Sequence, residues 1–205
     1  MTVNTMYAIL AVLSGIMIVD TRAKRVLAGY FAIAIVTTIM TFSGAAETLG
    51  GLMLFGAATV LKVVAAPIGI LWFVRLNPEA EDLRASAPLP IRVLVVIALI
   101  VLSRAVYRLP GLTGLPLQSI VAFVILCGIA MLIMHRNVLA DLLGLLLFGA
   151  GITLEAALVS PQLPAVVELG AAFDVIVTTF IGLALLRTLH ERDLLDVDRL
   201  RNLRG

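Results

Sequence analysis

The sequence predicts an all-α integral membrane protein, and three observations carry that prediction. Of its 205 residues 61% are hydrophobic and only 14% are charged, against ~45–50% and ~25% in ordinary soluble domains. The mean hydropathy is +1.13. The apolar residues fall into seven runs, at roughly 3–19, 27–43, 49–74, 91–107, 116–134, 138–159 and 164–187, most of them near the ~20 residues that carry a helix across a bilayer core.

The first run follows an uncharged N-terminus and precedes Arg22, Lys24 and Arg25. A signal peptide has the reverse order, so this run reads as a retained span. In a seven-span arrangement, Arg22, Lys24, Arg25, Arg75, Arg84, Arg92, Arg136, Arg187, Arg192, Arg199, Arg201 and Arg204 share one side. Arg104 and Arg108 fall on the other, and Lys62 lies within a span. The positive-inside rule then predicts an N-terminus outside and a C-terminus in the cytoplasm.

The longest polar break is 77–90, which begins Asn77-Pro-Glu-Ala-Glu-Asp-Leu-Arg84. It is expected to join an N-terminal three-span unit, residues 1–76, to a four-span unit, residues 91–189. A charged cytoplasmic tail, 190–205, follows. The outer connection Leu109-Pro-Gly-Leu-Thr-Gly-Leu-Pro116 is short and rich in turn formers. Leu194, Leu195, Leu200 and Leu203 in the tail leave a short amphipathic helix and a solvated tail equally open.

Composition also excludes function classes. A formal charge of +2 with dispersed basic residues gives no footprint for nucleic acid. Cys127 is the only cysteine, so the chain alone holds no internal disulfide and no cysteine-ligated cluster. His135 and His190 lie in separate flanks, without metal-ligand spacing. No phosphate loop, nucleophile elbow or metal-binding helix occurs. His135-Arg136-Asn137 reads as a polar cap.

The candidate functional residues are the ionisable groups inside the runs. Asp174 lies in the middle of the last run, on a stripe with Val167, Gly170, Ala171, Thr178 and Gly182. A charge at that depth costs at least ~2.5 kcal/mol on insertion scales, so it faces protein or trapped water. Glu168, six residues earlier, points about 120° away from the stripe.

Lys62 sits near the middle of the third run, too deep to reach the headgroups, with Ala58, Ala65 and Ala66 on its face. Pro67, five residues on, removes a backbone hydrogen bond and invites a kink. Lys62 reads as a titratable site or as a charge neutralised by one structural partner. Asp174 reads as a proton carrier or as a protonated acid that packs two helices. Glu155 lies nearer an outer end and shares a face with Asp141, Gly144, Phe148 and Gly151, small residues among them suiting close helix packing. Arg104 and Arg108 read as anchors at the outer surface or as neutralising partners of Glu155 or Glu168, with anchoring preferred.

Arg136-Asn137-Val-Leu, Gly144, Gly151 and Glu168-Leu-Gly-Ala-Ala-Phe-Asp174 resemble the E component of hydrogenase-4 and related energy-converting hydrogenases. Lys62 with Pro67 matches the same family in the front half. The last three spans also resemble NuoK, the three-helix subunit of respiratory complex I, whose relatives include the C subunit of Mrp antiporters.

The resemblance implies a non-catalytic, multi-pass subunit of the cell inner membrane, without a cofactor or redox centre of its own. It implies partners among the antiporter-like membrane subunits of a hydrogenase or complex I-like assembly, and a role in moving protons or sodium. In that reading Asp174, Lys62, Glu155 and Glu168 are the relay candidates, with no catalytic or metal-binding residue. Asp174 matches the last-helix acid of the hydrogenase component. Against NuoK the acid position is instead Thr178.

The middle-helix acid has no counterpart. Its position falls at Gly149 against the hydrogenase component and near Leu146 against NuoK. Glu155 is six residues beyond Gly149, ~9 Å along the axis and about 120° around it. The loss of that acid favours a second reading, a structural membrane scaffold without a conducting path; an Mrp-antiporter-like ion transport component is a third.

Overall fold

The computed structural model describes residues 3–45, 53, 55–57, 59–76, 81–83, 85–106 and 116–159, with 170, 173, 177, 180, 182 and 184 beyond them. The regular structure in these residues is helical. The α-helices are α1 (Val3–Val19), α2 (Ala23–Ala45), α3 (Ala66–Leu76), α4 (Leu89–Val106), α5 (Pro116–Met134) and α6 (Val138–Val159). A π-helical turn, Val60–Ala65, leads into α3. Gly170, Phe173, Val177, Phe180, Gly182 and Ala184, in the last apolar run, are also helical.

Among the described residues, three stretches are long and apolar enough to cross a membrane: Ala23–Phe42, Phe55–Arg75 and Val138–Val159. Asn4–Val19 and Gln118–Met134 are shorter apolar helices. The surface has the same character. Leu94 and Ile97 on α4, Trp72 on α3 and Ile133 on α5 are all more than half exposed, a distribution suited to lipid rather than to water.

Local chemistry sets several helix ends. Asp20 closes α1 with its N–H on the Ile16 carbonyl, and its Oδ1 accepts the Arg22 N–H at 2.9 Å, just before α2. Asn137 caps α6, its Oδ1 accepting the Leu139 N–H at 2.9 Å. Pro116 opens α5, where its missing N–H leaves no intrahelical bond unmade.

At the centre, α1 packs on α5 and α2 on α6, so the α1–α2 hairpin lies along the α5–α6 hairpin. The π-helical turn and α3 flank α2, and α4 flanks α1 and α5. Among the described residues, α5 and α6 approach each other closely. A Cβ placed on Gly128 would lie 2.6 Å from the Phe148 nitrogen, and one on Gly151 would lie 2.6 Å from Ile125 Cγ1 and 3.0 Å from the Ile125 nitrogen. One on Gly144 would lie 3.1 Å from both Leu132 Cδ2 and the Gly128 oxygen. Ile125 thus faces Gly151, Gly128 faces Phe148 and Leu132 faces Gly144, the regular register of an antiparallel pair. The Gly144, Phe148 and Gly151 face expected from the sequence is the face that α5 covers.

Gly149 differs. A Cβ there meets nothing within 4 Å among the described residues. Alanine is favoured over glycine in a helix by ~0.5–1 kcal/mol, whereas overpacking a tight contact costs ~1–3 kcal/mol. Gly128→Ala is therefore expected to lower the melting temperature of the detergent-solubilised protein, and Gly149→Ala to leave it unchanged or raise it slightly. Thermal unfolding of the two variants checks this ordering.

Candidate functional site

Lys62 is the one predicted relay residue that is both described and fully buried, at 1% exposure. It lies inside the π-helical turn, which packs against α2. The sequence predicts a kink at Pro67; the structure answers with a wider turn just before it. The physical cause is the proline ring, which would clash with the carbonyl four residues back in a regular α-helix and has no N–H to offer it. A π-helical turn can absorb such a fault and often marks a functional position. Lys62 is thus held at mid-span in irregular backbone.

The face of α2 includes three buried polar side chains. The Thr37 and Thr41 hydroxyls donate to the carbonyls of Ala34 at 2.9 Å and Thr37 at 3.0 Å. The Tyr30 hydroxyl is buried with no hydrogen-bond partner among the described residues.

Glu155 lies toward the end of α6 and is half-buried, an electrostatic neighbour of the Tyr7 phenol near the start of α1. Between one and two turns before it, the Gly149 carbonyl accepts the Thr153 hydroxyl at 2.9 Å. Asp174 and Glu168 lie outside the described residues, as do Arg108 and the 190–205 tail. Gly182, on the predicted Asp174 stripe, sits against α6: a Cβ there would lie 2.6 Å from Leu142 Cδ1. Among the described residues, no group of three His, Cys, Asp or Glu side chains is arranged to hold a metal ion.

A second polar cluster ties the ends of the hairpins together. The connection that includes Glu81, Asp82, Leu83 and Ser86 meets the ends of α1, α2 and α5. The Leu83 N–H donates to the Thr21 carbonyl at 2.8 Å, and Asn137 Nδ2 donates to the Asp82 carbonyl at 3.1 Å. Both the Ser86 N–H and its hydroxyl donate to the Met134 carbonyl, at 2.8 and 2.7 Å. Lys24 pairs with Glu81 at 2.8 Å, with both side chains substantially exposed.

Arg92, by its charge a residue of the cytoplasmic loops, lies instead in the first turns of α4. It is only 8% exposed, and its guanidinium donates to the Val19 carbonyl at the end of α1. Sequence reasoning misses this role because a guanidinium that serves a helix terminus is indistinguishable, in sequence, from one that serves solvent. Arg104, toward the other end of the same helix, is exposed.

His135 is buried beside this cluster, its Nδ1 3.3 Å from the Met131 carbonyl. Burial pushes its pKa below the ordinary 6.5; the Met131 and Asp20 carbonyls oppose that, and the Arg92 charge adds to the lowering.

Fold and site together define a protein, helical among its described residues, with helices long and apolar enough to cross a membrane and a lysine buried within one of those stretches. Comparison with known proteins adds the family likeness. Hydrogenase-4 component E of Escherichia coli K12 is 29% identical over 216 aligned positions, covering 100% of this chain and 98% of the relative. The same component from Escherichia coli O157:H7 and from Shigella flexneri matches to the same extent. The resemblance read from Lys62 and the 136–174 motifs therefore extends along the whole chain. No family model matches, and no solved structure matches.

The low His135 pKa has a direct consequence for stability. The unfolded state binds the proton more readily, so His135 stabilises the fold above about pH 6.5 and that contribution falls away as pH drops toward the folded-state pKa. The melting temperature is expected to decline between about pH 7 and pH 5, and His135→Gln to flatten some of that decline. A pH series of thermal unfolding on both proteins checks this.

Proposed function

We propose that the chain is a membrane-arm subunit of a hydrogenase-type, complex I-like assembly of the cell inner membrane, and that it contributes to moving protons or sodium while partner subunits carry the redox chemistry. The full-length likeness to hydrogenase-4 component E supports the assembly. Lys62, fully buried at mid-span in a π-helical turn, is the observation that carries the coupling role.

The proposed arrangement has seven spans, with the N-terminus outside, the C-terminus in the cytoplasm and a NuoK-like last three. The division into a three-span front (1–76), a connection (77–90), a four-span back (91–189) and a tail (190–205) belongs to the same reading. Asp174 exchanges a proton at mid-membrane. Lys62 responds to that charge through its own protonation state or through water between the helices, and Glu155 and Glu168 connect the path to the outer side. Each is a group whose charge is costly in lipid and therefore sensitive to the charge of its neighbours. The partners are other membrane subunits, antiporter-like ones among them.

Gly149 favours a second reading, a scaffold without a conducting path. No described neighbour fills the space its Cβ would take, so packing does not explain why the family acid is missing there.

Ion movement per assembled complex separates the two. Asp174→Asn and Lys62→Met complexes are expected to assemble and to lose translocation about tenfold, a ~1.4 kcal/mol effect on the limiting step. Translocation at the parental rate per complex, with only assembly or melting temperature altered, would leave the scaffold reading standing.

A further inference from the structure

A trough of about 640 Å³ runs between α1 and α4, with Phe123 of α5 at its floor. Its length is lined by Ala11, Gly15 and Ile16 on one side and by Val93, Val96 and Ile100 on the other. Its polar end is formed by Asp20, Thr21, Arg25 and Arg92. From Leu89 to Ile100 the helix rises eleven residues, ~16 Å at 1.5 Å per residue. That is about half of a ~30 Å hydrocarbon core, the depth of one leaflet.

The polar end is built for an anion. Arg92 is more than nine-tenths buried; its guanidinium holds the Val19 carbonyl, and its Nε–H, buried at the trough, has no hydrogen-bond partner among the described residues. Arg25 also lines this end, largely exposed. The one carboxylate among the described residues lining this end, Asp20, accepts the Arg22 N–H through Oδ1 and lies 3.6 Å from Arg25 through Oδ2. Two arginines against one carboxylate leave a net positive charge where the apolar trough meets the helix ends.

We infer that the α1–α4 trough is a seat for one anionic phospholipid, its acyl chain along the apolar walls and its phosphate between Arg25 and Arg92. Charge complementarity and one-leaflet depth select this occupant. A free phosphate leaves the apolar length empty. None of the lining residues is a relay candidate, so its test and the translocation test fail independently.

The full chain is released from nanodiscs holding equal amounts of phosphatidylglycerol and phosphatidylcholine with matched acyl chains, and the retained lipid is read by native mass spectrometry. The parent is expected to retain phosphatidylglycerol preferentially. R25Q removes one interfacial arginine and lowers that preference about fivefold. V93W fills the trough without touching the arginines and lowers retention of both lipids. R92Q is expected to lose the preference as well. Because Arg92 also ties α4 to α1, R25Q and V93W decide the matter if R92Q does not fold.

Equal retention of the two lipids by the parent, or retention unchanged in both R25Q and V93W, overturns the proposal. Displacement of the lipid by millimolar inorganic phosphate would reduce the site to a bare anion site and overturns it too. So does capture of a partner polypeptide, rather than lipid, by a photocrosslinker placed at Ile97 in the native assembly.

Discussion

The contact between α5 and α6 is the constraint on which the rest of the structure depends. Lipid tails are as apolar as leucine, so two membrane helices gain little from hiding apolar surface against each other and are held instead by close van der Waals contact. Glycines at 128, 144 and 151 bring the two backbones to the distance at which that contact is dense. Once this pair is fixed, α1 and α2 lie along it, and α3 and α4 are placed by what remains of the surface. Thr153, which bonds the Gly149 carbonyl, belongs to the same helix but not to the same constraint. The register of the pair is set where Ile125, Phe148 and Leu132 meet the three glycines.

The second organising element is polar and lies at one end of the bundle. Backbone groups that end a helix need partners, and in an apolar surrounding an unmade hydrogen bond is costly. The connection before α4 meets that need for several helix ends together, with Leu83 on Thr21, Ser86 on Met134 and Asn137 on Asp82. Arg92 extends the arrangement to α1 by supplying a donor to Val19. His135 is enclosed by this cluster, which explains its lowered pKa without any catalytic role. Arg92 also lines the trough, so one residue both satisfies a helix end and contributes to the positive end of that trough.

Lys62 and Gly149 pull the functional reading in opposite directions, and the structure explains why both are tolerated. A lysine at mid-span is expensive in lipid, but the π-helical turn before Pro67 buries it against α2 rather than exposing it. Gly149 carries no such constraint, since among the described residues nothing occupies its Cβ position.

Much of the fold is legible in the sequence. The helix boundaries at 3–19, 116–134 and 138–159 follow from composition and terminators: the polar pair Asp20-Thr21, Pro116, and Asn137 as a cap. The Gly144–Gly151 packing face follows from the 3.6-residue period, because small side chains on one stripe let membrane helices approach closely. Lys62 is legible as a candidate because charge in an apolar run is physically expensive wherever the run lies. The π-helical turn that holds it is not, since Pro67 announces a fault in the hydrogen-bond ladder without saying how it is absorbed. Arg92 escapes a sequence reading for a related reason: its partner, the Val19 carbonyl, is 73 residues away in the chain. The sequence by itself determined the helices, their apolar character and which charges are out of place. Only the tertiary structure decided which glycines are obligatory, which arginine is buried and where a trough opens, because each of those depends on distances between helices that no local pattern records.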